Sequence, residues 1–316
     1  MRIVNPFEKF RHPHLDANEG VVFSRQLQQV SARVNRHVYP ALRARMLIPS
    51  QPDGGDPIAT TYNYHDININ GLPAAGSART NTVPNVDVAM TENESRIREI
   101  TSGYEFDKLS IQRAARAGVA LSAEKAIAAR YIIEKEINTV LLAGDTQKNI
   151  PGLLTNLSID ADAVDPGAGL GTPTEWTGKT CLEIEADVSK MLRYLFSASN
   201  GTYSQFVLAL PPDQYGQLAT MRIPDTDITL LRYLLDKIPL IEDIIWLAEL
   251  ATSGDSGKAE MLAGARNQDV LHSIIPQEYT EEAPIVQGWT TQVQCSARCG
   301  GTIVRQPFAW ARRYGI

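Results

Sequence analysis

Cys295 and Cys299 are the residue pair in this chain with the most obvious potential for chemistry, because a thiolate can bind a metal or exchange electrons. Their CxxxC spacing is neither the redox CxxC motif nor a four-ligand zinc pattern. With Cys181 the total is odd, which does not indicate a disulfide framework. If both lie on one strand, their even separation places them on the same face. We interpret them as small buried side chains, with a metal or redox pair as the alternative.

His12 and His14 form an HPH tract that could bind a metal. No acidic or thiol residue lies at ligand spacing from them, so the tract is a weak metal motif. We predict no metal and no cofactor, and we interpret residues 1–20 as a flexible or draped terminal arm.

Two glycine-rich segments invite comparison with phosphate-binding loops. The GAGLG run within residues 158–178 has no strand before it and no helix after it, so a dinucleotide-binding loop is rejected. The segment Ser253–Lys258 reads SGDSGK, but Ala259 follows the lysine where a P-loop requires Ser or Thr. We predict a hairpin turn there.

A nucleophile with a matching base is not recognisable in this sequence. The G-x-S-x-G motif is absent, and His65 and His272 lack a partner pattern. The acidic pairs Glu242-Asp243 and Glu281-Glu282 fall in exposed-looking turns or at a strand start, which indicates nothing without a cleft. We therefore predict no catalytic residues and no enzymatic activity.

The composition is that of an ordinary globular protein of one large or two medium domains. The chain has 316 residues, of which 43% are hydrophobic and 21% charged, with a net charge of -6. Its basic residues are scattered and form no strongly basic face for gripping nucleic acid. The arginines near the start are read as solvated or inter-subunit ion pairs. No apolar run is long enough to span a membrane, and the start does not resemble a secretory signal.

The segment from Asp56 to Asn85 is the most informative element that could position interacting residues. The run Thr60–Tyr64 alternates β-branched and aromatic residues, and a long stretch rich in Gly, Pro, Ala, Ser and Asn follows. Residues 86–100 alternate again and predict a returning strand. An isolated two-stranded hairpin is marginal in water, so we expect this one to need a partner surface.

Helical periodicity is strongest in the segment after this hairpin. A short helix is predicted over Phe106–Ala117, and a long one starts after a capping Ser122 and stops at Gly144. The stripe in the long helix includes Ile133 and Ile137. The remaining predicted elements mix helices and strands in an α+β order. They are helices at Lys179–Ser197, Pro211–Thr220 and Thr229–Lys237, strands at Gln205–Leu210, Ile241–Leu250, Ala259–Ala265 and Val270–Ile275, and a final hairpin of Gln287–Ser296 with Thr302–Ala311.

The order of these elements and several runs of sequence resemble the major capsid proteins of tailed bacteriophages. The order is a polar arm, a long hairpin, an Ala-rich helix, a GLLTN turn, an α+β region and a closing hairpin. The runs that carry the resemblance are FSRQLQQV (Phe23–Val30), Tyr39–Pro49, Gly103–Arg130, Leu142–Asn156 and Arg313–Ile316.

The resemblance implies an α+β, HK97-like capsid fold with an N-arm, an extended E-loop hairpin, a long spine helix, a P-domain and an A-domain. The implied segments are 1–50 (N-terminal arm and lead helix), 51–102 (E-loop hairpin), 103–160 (spine helix and part of the P-domain), 161–285 (A-domain) and 286–316 (closing hairpin of the P-domain).

The implied function is structural. Copies would assemble as pentamers and hexamers into an icosahedral shell that encloses packaged double-stranded DNA, contacted weakly and non-specifically. Scaffold, decoration and portal proteins would be further partners, no membrane is involved, and the protein would be made in the host bacterial cytoplasm for the virion. The alternatives are an encapsulin-type shell that holds cargo enzymes and an unrecognised α+β enzyme.

In this family the E-loop lies over the adjacent subunit. We therefore expect inter-subunit contacts from the hairpin residues Tyr62, Tyr64, Ile67, Ile69, Leu72 and Arg79. Some relatives lock the shell with a Lys–Asn isopeptide bond, but the tip Gly71–Thr82 contains no lysine. We expect a shell without covalent crosslinks.

Overall fold

The computed structural model describes residues 39–51, 55–70, 87–116, 120–168, 174–224 and 226–316. The predicted arm and the hairpin tip lie outside these ranges. The helices within them are α1 (Ala44–Leu47), α2 (Lys108–Arg116), α3 (Leu121–Ala143), α4 (Cys181–Ala198), α5 (Pro212–Thr220) and α6 (Leu230–Lys237). The strands are β1 (Thr61–Asn70), β2 (Asp87–Arg96), β3 (Arg98–Asp107), β4 (Asp160–Ala163), β5 (Phe206–Leu210), β6 (Ile241–Trp246), β7 (Glu260–Gly264), β8 (Leu271–Ile274), β9 (Gln277–Glu281), β10 (Ile285–Gln287), β11 (Thr290–Cys299), β12 (Gly301–Val304) and β13 (Trp310–Tyr314).

Strands β1 and β2 form the predicted long antiparallel hairpin. Their register runs from Thr61 opposite Arg96 to Asn70 opposite Asp87. Its base is fixed to the body of the same chain, where the buried Ser95 hydroxyl donates to the Gly300 carbonyl oxygen at 3.0 Å. The prediction of a hairpin is confirmed.

A four-stranded sheet continues directly from the hairpin. Strand β11 is its centre and pairs with β3 on one side and with both β9 and β10 on the other. One face of the sheet carries buried residues such as Ile100 and Val293, which belong to the hydrophobic core together with residues of α3. Cys295 and Cys299 are buried on β11 at positions of the same parity, as predicted.

The long helix α3 contributes buried residues to the hydrophobic core. Ile133 and Ile137 are completely buried, as their place in the apolar stripe predicts. The helix ends at Gly144, whose φ of +74° suits glycine and whose Cβ, if present, would lie 2.5 Å from the Ile150 carbonyl oxygen. The predicted cap at Ser122 is wrong, because the helix begins two residues earlier, at Leu121, and Ala120 occupies the cap position.

A five-stranded sheet in the order β4-β13-β7-β5-β6 forms the second half of the core. Every residue of β5 is buried, which explains its uninterrupted apolar sequence. Strand β5 lies between β6 and β7, so the segment Ser253–Lys258 connects strands that are not neighbours. The hairpin turn predicted there is therefore wrong, and Asp255–Gly257 instead forms a tight turn in which Ser256 and Gly257 have φ values of +58° and +74°.

The predicted final hairpin of Gln287–Ser296 with Thr302–Ala311 is also wrong. Strand β11 pairs with β3, β9 and β10, whereas β12 pairs with β8 and β13 pairs with β4 and β7. The chain changes direction at Gly300, whose amide donates to the Ile274 carbonyl oxygen, and at Gly301, whose φ is +79°. Residues 286–316 therefore contribute to three different sheets.

Candidate assembly surfaces

The base of the hairpin presents one face to its own chain. The rings of Tyr62 and Tyr64 stack with centroids 6.3 Å apart. Gln51 Nε2 donates to the Tyr62 hydroxyl at 2.8 Å, and the Arg305 guanidinium lies 5.9 Å from the centroid of the Tyr64 ring. Burial and, to a lesser extent, Asp66 raise the pKa of Tyr64, so its phenol is neutral at physiological pH. These contacts fix the direction in which the hairpin leaves the body.

The opposite face of the hairpin is open. Val88 and Met90 are 54% and 64% exposed. The register places Met90 opposite Ile67 and Val88 opposite Ile69, and directly opposed positions of an antiparallel pair share a face. Nearer the base this face is polar, with Asn63 Nδ2 donating to Glu92 Oε1 at 3.2 Å.

The six residues predicted to contact a neighbour are thus placed differently. Tyr62 and Tyr64 contact their own chain, and Ile67 and Ile69 occupy the positions opposite the exposed Met90 and Val88. Leu72 and Arg79 lie outside the described residues. An inter-subunit role for each of them stays a prediction. Val88 and Met90 were missed, although their alternation with polar residues in the returning strand was a usable signal.

Residues 39–51 run across the body as a strap that is held by basic side chains. Arg45 forms ion pairs with Glu134 of α3 at 3.2 Å and with Glu278 of β9 at 2.8 Å. The Arg43 guanidinium lies 3.6 Å from the centroid of the Trp246 ring. Arg43 and Arg45 belong to the arginine group near the start of the chain. Their contacts described here are within one subunit.

The buried thiols have surroundings that suppress their reactivity. Burial raises the pKa of Cys299 to about 11, so the group remains a thiol at neutral pH. The Tyr279 hydroxyl lies 3.3 Å from Cys295 Sγ. Across the described ranges, His, Cys, Asp and Glu side chains nowhere gather in threes that could hold a metal ion. None of the described helices is both long and apolar enough to cross a membrane.

A surface concavity of about 780 Å³ lies on the outer face of the four-stranded sheet. Its lining is mainly carboxylate, hydroxyl and amide side chains. Histidine and lysine are absent from this lining, and the Cys295 thiol is 1% exposed. The lining therefore offers no histidine, the side chain that most often acts as a general base.

A second exposed apolar region lies at the far end of the same sheet. Val286 and Trp289 are 69% and 74% exposed, and Ile111 of α2 lines the same cavity of about 370 Å³. This region was not predicted from the sequence. The run Ile285-Val286-Gln287-Gly288-Trp289, with large apolar residues around a glycine turn, was the available signal.

This combination of hairpin, long helix and two sheets defines an HK97-like capsid fold. The capsid of Myoviridae phage XM1 superposes with a TM-score of 0.78 at 16% identity, covering 94% of this chain and 99% of that chain. The capsid of an empty GTA particle gives 0.64 at 12% identity over 96% and 99% of the two chains. A virus-like particle from Pyrococcus furiosus gives 0.50 at 13% identity over 81% and 86%. No curated protein sequence matches the chain significantly.

The chain belongs to the major capsid protein family, whose sequence model matches residues 74–316. It is a structural subunit that assembles with copies of itself into a shell, and its place is the virion capsid. The two alternatives, a cargo-holding shell and an α+β enzyme, are not favoured.

Proposed function

We propose that copies of this chain assemble as pentamers and hexamers and close into an icosahedral shell around packaged double-stranded DNA. Each copy lays the open face of its β1–β2 hairpin on the adjacent copy. The observation that carries this proposal is the exposure of Val88 and Met90 on that face, while the base of the other face is held by its own chain.

The energetics of the hairpin support this role. Complete burial of a large apolar side chain contributes roughly 1.5–3 kcal/mol. The base of the hairpin is already fixed by Ser95, Tyr62 and Tyr64, so less conformational freedom is lost when the open face meets a neighbour. An ordered base with an exposed apolar outer part suits a contact made between subunits.

The remaining roles follow from charge and sequence. A net charge of -6 supports weak, non-specific contact with DNA. The proposed role is structural rather than catalytic. Scaffold, decoration and portal proteins are its proposed partners, and the host bacterial cytoplasm is its place of synthesis. We keep 1–50, 51–102, 103–160 and 161–285 as the proposed arm, E-loop, spine and A-domain segments.

A paired substitution tests the hairpin contact. We expect Val88→Ser with Met90→Ser to leave the subunit folded but to shift it from capsomers and shells toward monomers in sedimentation velocity and electron microscopy. The matched control is Ile58→Ser with Leu157→Ser, which removes two apolar side chains that are 82% and 100% exposed elsewhere. Normal capsomers from the hairpin variant, or equal loss from the control, would contradict the proposed contact.

The proposed absence of covalent crosslinks has a separate test. Denatured shells should give one mass corresponding to the single chain, because the tip Gly71–Thr82 offers no lysine. A ladder of covalent oligomers in the mass spectrum would contradict the proposed absence of crosslinks but not the proposed shell.

A further inference from the structure

Helix α3 carries a second apolar stripe on the side that faces away from the hydrophobic core. Ile127 and Ile132 are each 57% exposed, and the partly buried Tyr131 lies four residues after Ile127 on the same side of the helix. Ile133 and Ile137, on the core side, are completely buried. Apolar residues around most of the circumference are typical of a helix that is covered on every side. The described residues leave the second stripe of α3 open.

This second stripe is one wall of an apolar groove of about 540 Å³. The other wall is the start of the strap, residues 39–42. The Tyr39 ring is 62% exposed and stacks on the Tyr131 ring, with the two centroids 4.6 Å apart. The described part of the strap therefore begins inside the groove.

Two contacts fix the direction of the strap along α3. Tyr39 lies against Tyr131, and the Ala44 amide, five residues later, donates to Asn138 Oδ1 at 3.0 Å. The strap therefore runs parallel to α3, toward the end of the helix at Gly144. The same direction continued backwards leads from Tyr39 over the N-terminal half of α3, where Ile127 is exposed.

The segment that leads into Tyr39 has the sequence of an amphipathic helix. Residues 23–38 lie outside the described residues. Gly, Pro, Asp and Glu are absent from their sequence, and their large apolar side chains recur at steps of three and four, namely Phe23, Leu27, Val30, Val34 and Val38. Pro40 disfavours a helical conformation at Tyr39, so a helix in this segment ends at Val38.

We propose that residues 23–38 form a helix that lies parallel to α3 of the same chain and covers its second apolar stripe. Two parallel helices advance equally, by about 1.5 Å per residue, so Val34 lies beside Ile127 and Val30 lies one turn further back, beside the exposed Ala123. Since Tyr39 already contacts Tyr131, the covalent link holds the segment at its own groove at an effective concentration of about millimolar. This link favours the segment of the same chain over that of a second copy.

Hydrogen exchange of the unassembled subunit tests this contact. We expect the amides of residues 23–38 to be protected, and Val30→Ser with Val34→Ser to lose that protection. The matched control is Gln29→Ser with Ala32→Ser, which changes the opposite side of the same helix and should keep the protection. Serine is a poorer helix former than glutamine or alanine, so a loss confined to the valine variant reports the contact rather than helix propensity. Both variants should keep wild-type exchange in β5, every residue of which is buried.

A reciprocal change identifies the groove as the receptor. Ile127→Ser with Ile132→Ser alters only exposed positions of α3, and it should release residues 23–38 without changing their sequence. Protection that survives this change, or unprotected amides at 23–38 in the wild type, would overturn the proposal. Protection that rises with subunit concentration would also overturn it, because a second copy would then supply the segment. The exchange is measured before assembly, so its outcome is independent of the proposed hairpin contact.

Discussion

Gly264 lies directly against the indole of Trp310, its register partner across the β7–β13 pair. A Cβ at position 264 would lie 2.1 Å from Trp310 Cδ2, far inside the van der Waals limit. Trp310 is completely buried, so the ring has no room to move away. The absence of a side chain at Gly264 is what allows the largest residue type to occupy the middle of the five-stranded sheet.

We expect Gly264→Ala to destabilise the subunit by about 1–3 kcal/mol or to prevent folding, because overpacking a rigid core forces side chains and backbone to shift. The measurement is urea unfolding of unassembled subunit. Gly216→Ala is the control, since a Cβ there meets no described atom within 4 Å and the position lies inside helix α5. Alanine at that helical position should be neutral or stabilising by up to about 1 kcal/mol. Equal stabilities for the two variants would refute the steric account.

The buried ion pair between Arg312 and Glu260 gives a second prediction. Glu260 is 0% exposed, and its carboxylate lies 2.8 Å from Arg312 Nη2 and 2.5 Å from the Ser253 hydroxyl. We expect Arg312→Met to cost about 3–5 kcal/mol in unfolding free energy, because it leaves a buried charge without its partner. Arg232→Met is the control, because its ion pair with Asp236 is exposed and should contribute no more than about 0.5 kcal/mol.

His272 predicts a loss of stability in mild acid. It is 3% exposed, its Nδ1 lies 3.2 Å from the Gln268 carbonyl oxygen, and Nε2 has no hydrogen-bond partner among the described residues. Burial lowers the pKa of His272, and the nearby Arg305 charge lowers it further, while Asp269 acts in the opposite direction. As the pH drops below about 6.5, the imidazole of His272 is therefore protonated in the unfolded chain before it is protonated in the folded chain. The free energy of unfolding falls as a result.

The measurement for His272 is the unfolding free energy between pH 8 and pH 5. We expect His272→Asn to show a shallower decline than the wild type below pH 6.5, since it removes the group that titrates. The loss should level off once the pH passes the lowered pKa of the folded state. Identical slopes for the two proteins would show that the pKa of His272 is the same in the folded and unfolded states.

Ser95 predicts how firmly the hairpin is held. Ser95→Ala removes the hydrogen bond to the Gly300 carbonyl oxygen and should cost about 1 kcal/mol. The loss is local, so we expect Ser95→Ala to speed amide hydrogen exchange in β1 and β2 relative to the wild type and to leave exchange in α3 unchanged. Thr91→Ala, an exposed change on the same strand, is the control. Unchanged exchange in the Ser95 variant would mean that the tyrosine contacts alone fix the hairpin.

Local periodicity predicted the elements of the fold well. The stripe of α3 could be read from the sequence because helical packing repeats every three to four residues, and Ile133 and Ile137 are completely buried. The alternation in β1 predicted a strand, yet it could not indicate which surface each face meets. Tyr62 and Tyr64 face Gln51 and Arg305, and the distance of Arg305 along the chain hides that contact from any local pattern.

The pairing of the strands could not be predicted from the sequence. Two strands joined by a glycine turn favour a hairpin on local grounds, but β11 pairs with β3, whose residues lie nearly two hundred positions earlier. The exposed apolar region around Val286 and Trp289 was missed for a related reason. Apolar residues in a strand predict burial within one subunit, and only the folded subunit reveals that Val286 and Trp289 are left open.

Strand β13 is made after every other strand of its sheet, yet it occupies an interior place between β4 and β7. A growing chain therefore exposes the edges of β4 and β7 until residues 310–314 have left the ribosome. The five-stranded sheet is therefore completed only after β13 has been made. A chain truncated before residue 310 would lack the strand that joins β4 to β7, and both strands would then keep an unpaired edge.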